Sequence, residues 1–105
     1  MHTENSQNET LHNQVLKAHE LWNTISPQVK DILGEEVFSK WFEDLIPLTI
    51  NNRSLILQTN AWHACLWIRN NYQETLDLLS ALQEENLKTS LVAPGEDISS
   101  MPLQH

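Results

Sequence analysis

The spacing of apolar residues changes partway along the chain, and this change restricts the fold more than any other feature. Over residues 11–42 the apolar side chains recur at intervals of three and four, which is typical of helices. Residues 46–58 instead alternate, around the turn-type sequence Asn-Asn-Arg-Ser at 51–54. This pattern predicts a β-hairpin with strands over 46–50 and 54–59, set between helical segments.

Helices precede and follow this hairpin. Ser26-Pro27 is a typical helix opening, so we expect a break or a bend there, and Gly34 is a typical residue at a helix end. A long helix over 61–85 and a strand over 87–92 come after the hairpin, which gives the order ααα-ββ-α-β. The sequence therefore predicts an α+β fold in which helices pack on one face of a small three-stranded sheet.

The ends of the chain differ in composition from its middle. A length of 105 residues is enough for one domain. Residues 1–10 are polar, so we expect a disordered N-terminal tail followed by a single α+β interaction domain over 11–92. Residues 93–105 open with Ala-Pro-Gly and predict a flexible tail or the start of a linker.

The charge of the chain restricts its partners. Fourteen acidic and six basic residues give a net charge of −8, and no part of the chain is basic. Tight binding to a phosphate backbone needs clustered Lys and Arg, so the charge argues against strong DNA binding and against docking on an anionic membrane. The chain has one cysteine and no secretory signal or membrane-length apolar run, which predicts a cytoplasmic protein.

The sequence offers no chemistry for catalysis or for a cofactor. Gly34 and Gly95 are its two glycines, so there is no glycine-rich phosphate loop. His63 and Cys65 are two residues apart on a predicted helix and face different directions, which makes a shared metal or a nucleophile pair awkward. We therefore expect no enzyme activity, no cofactor and no bound metal.

Four tryptophans are the most informative residues for function. Trp41 and Trp67 fall on inward-facing helical stripes and are predicted to lie in the core. For Trp22 and Trp62 the sequence leaves two alternatives: the side chain packs on the domain, or it forms part of a partner surface.

Several short motifs stand in a definite order along the chain. They are Leu21-Trp22, Phe38 to Trp41 followed by Leu45, Leu55-Ile56-Leu57, and Trp67-Ile68 followed by Tyr72. Together they resemble the N-terminal domain of the bacterial replication initiator DnaA, over about residues 20–92. Asn60, Trp62 and His63 depart from the Pro-Asn-x-Phe stretch of that family.

The resemblance implies a KH-like fold, here without a GxxG loop, and a protein-interaction role in the initiation of chromosome replication. It implies self-association through Leu21 and Trp22. Val37 and His63 are the partner-binding positions that it indicates, and Trp62, next to His63, is included with them as a tryptophan that could be exposed. The implied partners are a second copy of the domain, the replicative helicase and small regulatory proteins.

Two other functions remain open from the sequence. A KH-like module sometimes grips single-stranded nucleic acid, but the missing GxxG loop and the charge of −8 allow at most weak contact with single-stranded DNA. The chain is also short enough to be a stand-alone regulator that pairs with a full-length initiator. The linker-like residues from Ala93 onward favour a fragment of a larger initiator over that alternative.

Overall fold

The structure is a computed structural model that describes the backbone of residues 3–95 and the side chains of residues 11–95. Residues 96–105, most of the predicted tail, lie outside this part. The elements in chain order are α1 (Thr3–Leu33), α2 (Glu35–Val37), a π-helical turn (Phe38–Phe42), β1 (Ile46–Asn51), β2 (Ser54–Gln58), α3 (Trp62–Gln83) and β3 (Lys88–Val92). This arrangement of helices and one small sheet confirms the predicted α+β class.

The sheet is mixed. β1 pairs antiparallel with β2, and β2 pairs parallel with β3, which gives the order β1-β2-β3. The hairpin turns at Asn52 and Arg53, whose φ values of 57° and 65° fit a two-residue type I′ turn. Pro47 lies in β1, an edge strand, where a residue without an N–H is tolerated.

Helix α1 differs from the sequence prediction at two places. It runs without interruption through Pro27, so the predicted break with Ser26 as a cap is wrong. Ile25 and Val29, on either side of Pro27, have no exposed surface, and their burial holds the helix together despite one missing hydrogen bond. The helix also begins at Thr3, although we expected disorder over residues 1–10. This stretch contains no Gly or Pro that would interrupt a helix.

The core lies where α1 and α3 meet the sheet. The buried apolar residues of α1 repeat every three to four positions, and those of β2 include three consecutive residues. The largest buried side chains in these elements include Ile25, Val29, Leu55, Ile56, Leu57, Ile68 and Leu76. Trp67, which the periodicity placed inward, is instead 46% exposed, so this core prediction is wrong.

Gly34 forms the joint between α1 and α2. Its φ of 95° and ψ of 157° lie in a region that is essentially restricted to glycine. Its N–H donates to the carbonyl of Lys30 at 2.8 Å, and its own carbonyl accepts from the N–H of Phe38 at 3.0 Å. Both bonds fix the joint in this conformation.

We expect Gly34→Ala to lower the free energy of unfolding by about 1–3 kcal/mol, because alanine is strained at this backbone conformation. No atom lies within 4 Å of the added Cβ, so the loss comes from the backbone and not from a clash. Urea denaturation measures the change, with exposed Ser39→Ala as the control. An unchanged midpoint for Gly34→Ala would show that the joint relaxes at no cost.

Candidate functional site

Two tryptophans form an exposed aromatic stack between the π-helical turn and α3. The ring centroids of Trp41 and Trp67 are 5.3 Å apart and their planes differ by 20°. Trp67 remains 46% exposed, while Trp41 is half-buried. The ammonium of Lys40 lies 5.4 Å from the centroid of the Trp41 ring, within reach of a cation–π interaction. We call these three residues the tryptophan surface.

The core holds this surface in place. Phe42, which follows Trp41, has no exposed surface and its ring lies 5.5 Å from that of Tyr72 on α3. Ile68, which follows Trp67, is also fully buried. Each tryptophan of the stack is thus the direct neighbour of a core residue, so the stack sits on rigid elements.

Two of the predicted partner-binding residues flank the tryptophan surface. His63 is exposed and precedes Trp67 by four residues, which places both on one face of α3. Val37 precedes Trp41 by four residues and is half-buried against the core. Two of the positions predicted from the sequence therefore lie beside the stack, whereas Trp67 itself was assigned to the core. The i, i+4 spacing of His63 and Trp67 was the sequence signal that would have placed both side chains on the same surface.

Trp62 lies on a different face of α3. It precedes Trp67 by five residues, which corresponds to a rotation of about 140° around an α-helix. Its side chain is 56% exposed, and Leu66, one turn further along, is 41% exposed. Trp62 is therefore exposed, which fits the alternative in which it forms part of a partner surface, but it does not belong to the tryptophan surface.

The predicted self-association residues are not both at the surface. Trp22 is 6% exposed and belongs to the core, so its ring is not available for direct contact in this fold. Leu21 is half-buried and also packs against the core. The stripe that holds Trp22 continues along α1 to Val15 and Leu11, which are 39% and 59% exposed. The exposed part of this stripe thus lies further towards the start of α1.

The described residues contain no recognisable reactive cluster. His63 is exposed whereas Cys65 is buried in the core, so the two do not face a common ligand. Within the part of the chain that the structure describes, no three His, Cys, Asp or Glu side chains are placed to hold a metal ion. No helix in that same part is long and apolar enough to cross a membrane.

These features define a small α+β domain whose candidate site is an exposed aromatic surface on two helical elements. Residues 19–83, more than half of the chain, match the model of the DnaA N-terminal domain family, and the chain belongs to that family. This match confirms the resemblance drawn from the motifs and makes the chain a domain of the replication-initiator type. No curated protein matches it.

Proposed function

We propose that this chain is a non-enzymatic protein-interaction domain that acts in the cytoplasm during initiation of chromosome replication. Its tryptophan surface recruits the replicative helicase or a small regulatory protein. The observation that carries the proposal is the exposed Trp41–Trp67 stack, which lies within the matched residues 19–83 and beside Val37 and His63.

The composition of this surface favours a protein partner. Tryptophan dominates binding hot spots because a large, rigid ring is removed from water at little conformational cost. Trp67 has one ring face packed on Trp41 and about half of its area exposed, so a partner that covers it buries a preformed platform. Lys40 adds one positive charge to the rim, which suits an acidic group on the partner. Trp62 and Leu66 expose further apolar area on another face of α3.

We also propose that the domain associates weakly with a second copy through the exposed face of α1. Leu11 and Val15 are exposed there, and Leu21 is partly so. A weak contact of this kind gains strength when other domains place several copies side by side on DNA. The isolated domain is then a monomer or a weak dimer.

We expect the double variant Leu11→Ser/Val15→Ser to weaken self-association without lowering the free energy of unfolding, because both side chains are exposed. Sedimentation equilibrium measures the association, and thermal denaturation checks the fold. Asn13→Ser, exposed on the opposite side of α1, is the matched control. Unchanged association in the double variant would exclude this face of the helix.

A nuclease-treated pull-down tests the recruitment proposal. The immobilised chain is exposed at moderate salt to lysate of the organism that encodes it, and retained proteins are identified by mass spectrometry. We expect retention of the replicative helicase or a full-length initiator, with loss of the helicase in Trp67→Ala and His63→Ala. Retention of material only when nuclease is omitted would instead indicate a nucleic-acid binder.

A further inference from the structure

β3 is an edge strand, and its backbone groups point alternately towards the hairpin and towards the free edge of the sheet. The N–H of Lys88 donates to the carbonyl of Arg53 at 3.0 Å, and the carbonyl of Val92 accepts from the N–H of Thr59 at 2.9 Å. Both groups point towards the hairpin side. Because backbone groups of alternate residues point to opposite sides of a strand, those of Thr89 and Leu91 face the free edge.

Three side chains of α3 bond to this free edge. Arg69 Nη2 donates to the carbonyl of Leu91 at 2.6 Å, and Gln73 Nε2 donates to the carbonyl of Thr89 at 2.6 Å. Asp77 Oδ1 accepts from the N–H of Thr89 at 3.0 Å and from Gln73 Nε2 at 3.1 Å. We call Arg69, Gln73 and Asp77 the edge ladder.

The spacing of the ladder fits the strand that it covers. Arg69, Gln73 and Asp77 are four residues apart and therefore lie on one face of α3. Four residues of a helix advance about 6 Å, and two residues of a strand advance about 6.6 Å, so Arg69 and Gln73 reach the carbonyls of Leu91 and Thr89, which are two residues apart. Thr89 is 3% exposed and its hydroxyl lies 2.6 Å from that of the buried Ser80, which fixes the strand against the helix.

The opposite edge of the sheet is obstructed in another way. β1 carries Pro47, which has no N–H to donate, and its register shifts between Pro47 and Thr49. A proline and a bulge both hinder the addition of another strand. The two edges are thus protected by different means, and the β3 edge is covered by hydrogen bonds from three side chains of α3.

We infer that the edge ladder closes β3 to strand addition and so prevents edge-to-edge pairing with a second copy of this chain. Without the ladder, the N–H and C=O groups of Thr89 and the carbonyl of Leu91 would match those of another β3 strand. Contact between intact domains then does not run through the β3 edge. This inference does not depend on which protein the tryptophan surface binds.

The test removes the ladder and follows both association and the amide of Thr89. In the variant Arg69→Ala/Gln73→Ala/Asp77→Ala, we expect hydrogen exchange at Thr89 to speed up about tenfold or more at low concentration, because a hydrogen bond to a charged group is lost. At high concentration we expect oligomers to form and the exchange to slow again, because a second strand then bonds to Thr89. The wild-type chain should show slow exchange at both concentrations.

Control variants separate edge opening from general damage. Asn70→Ala/Glu74→Ala changes two exposed residues on the same turns of α3 and should behave like the wild type. Asp77→Asn keeps an acceptor oxygen and should keep Thr89 protected. If the triple variant does not fold by circular dichroism, Gln73→Met/Asp77→Leu removes both side-chain bonds to the backbone of Thr89 and carries the association test. Oligomers that leave Thr89 unprotected, or a folded ladder variant that stays monomeric at high concentration, would overturn the inference.

Discussion

Trp22→Ala is expected to lower the free energy of unfolding by about 3–5 kcal/mol, the usual cost of removing a large aromatic side chain from a core. Trp22 is 6% exposed and lies on the same α1 stripe as the fully buried Ile25 and Val29. A domain of this size has a total stability of about 5–15 kcal/mol, so the variant retains a small margin at best. Chemical denaturation followed by circular dichroism measures the loss.

The control for this prediction is Asn23→Ala, an exposed neighbour whose replacement should change stability by less than about 0.5 kcal/mol. Any loss of self-association in Trp22→Ala would then follow from unfolding. A variant that folds as well as the wild type but no longer self-associates would contradict the burial of Trp22. It would restore the sequence-based view that its ring contacts a partner directly.

Trp67→Ala should have the opposite profile, with strong loss of partner binding and little loss of stability. Truncation of a hot-spot residue costs about 2 kcal/mol or more of binding free energy, which weakens affinity by about 30-fold. The stack with Trp41 contributes about 0.5–1.5 kcal/mol to folding, so the domain should remain folded. Calorimetric titration with the purified replicative helicase measures the affinity.

Leu82→Ala is the matched control for Trp67→Ala. Leu82 is 69% exposed on the same helix, near its opposite end, so its removal deletes exposed apolar area outside the tryptophan surface. We expect unchanged affinity in this variant. Equal losses in both variants would mean that partner binding depends on general surface hydrophobicity and not on the stack.

Local patterns predicted the elements whose structure depends on nearby residues. The alternation around the Asn-Asn-Arg-Ser turn predicted the hairpin because a two-residue turn sets the register of its own strands. The same reasoning failed at Pro27. Local sequence favours a helix start there, but the burial of Ile25 and Val29 on both sides stabilises one continuous helix.

Helical periodicity alone could not predict how much of each tryptophan side chain is exposed. A helical period indicates which residues share a face, but contacts with other elements decide how far that face is covered. Trp67 is covered on one ring face by Trp41, whose position depends on a π-helical turn that the sequence does not distinguish from an α-helical one. The edge ladder is a similar case, because its partners are backbone groups of a strand 12 to 22 residues further along the chain.

The four tryptophan indole N–H groups offer the most direct test of the central claim, that this domain binds a protein partner through the tryptophan surface. A two-dimensional nuclear magnetic resonance spectrum of the isotope-labelled chain resolves them during titration with the replicative helicase. We predict that the signals of Trp41 and Trp67 shift or broaden first and that the signal of Trp22 stays in place. Signals of Trp41 and Trp67 that remain unchanged at saturating helicase would contradict the account.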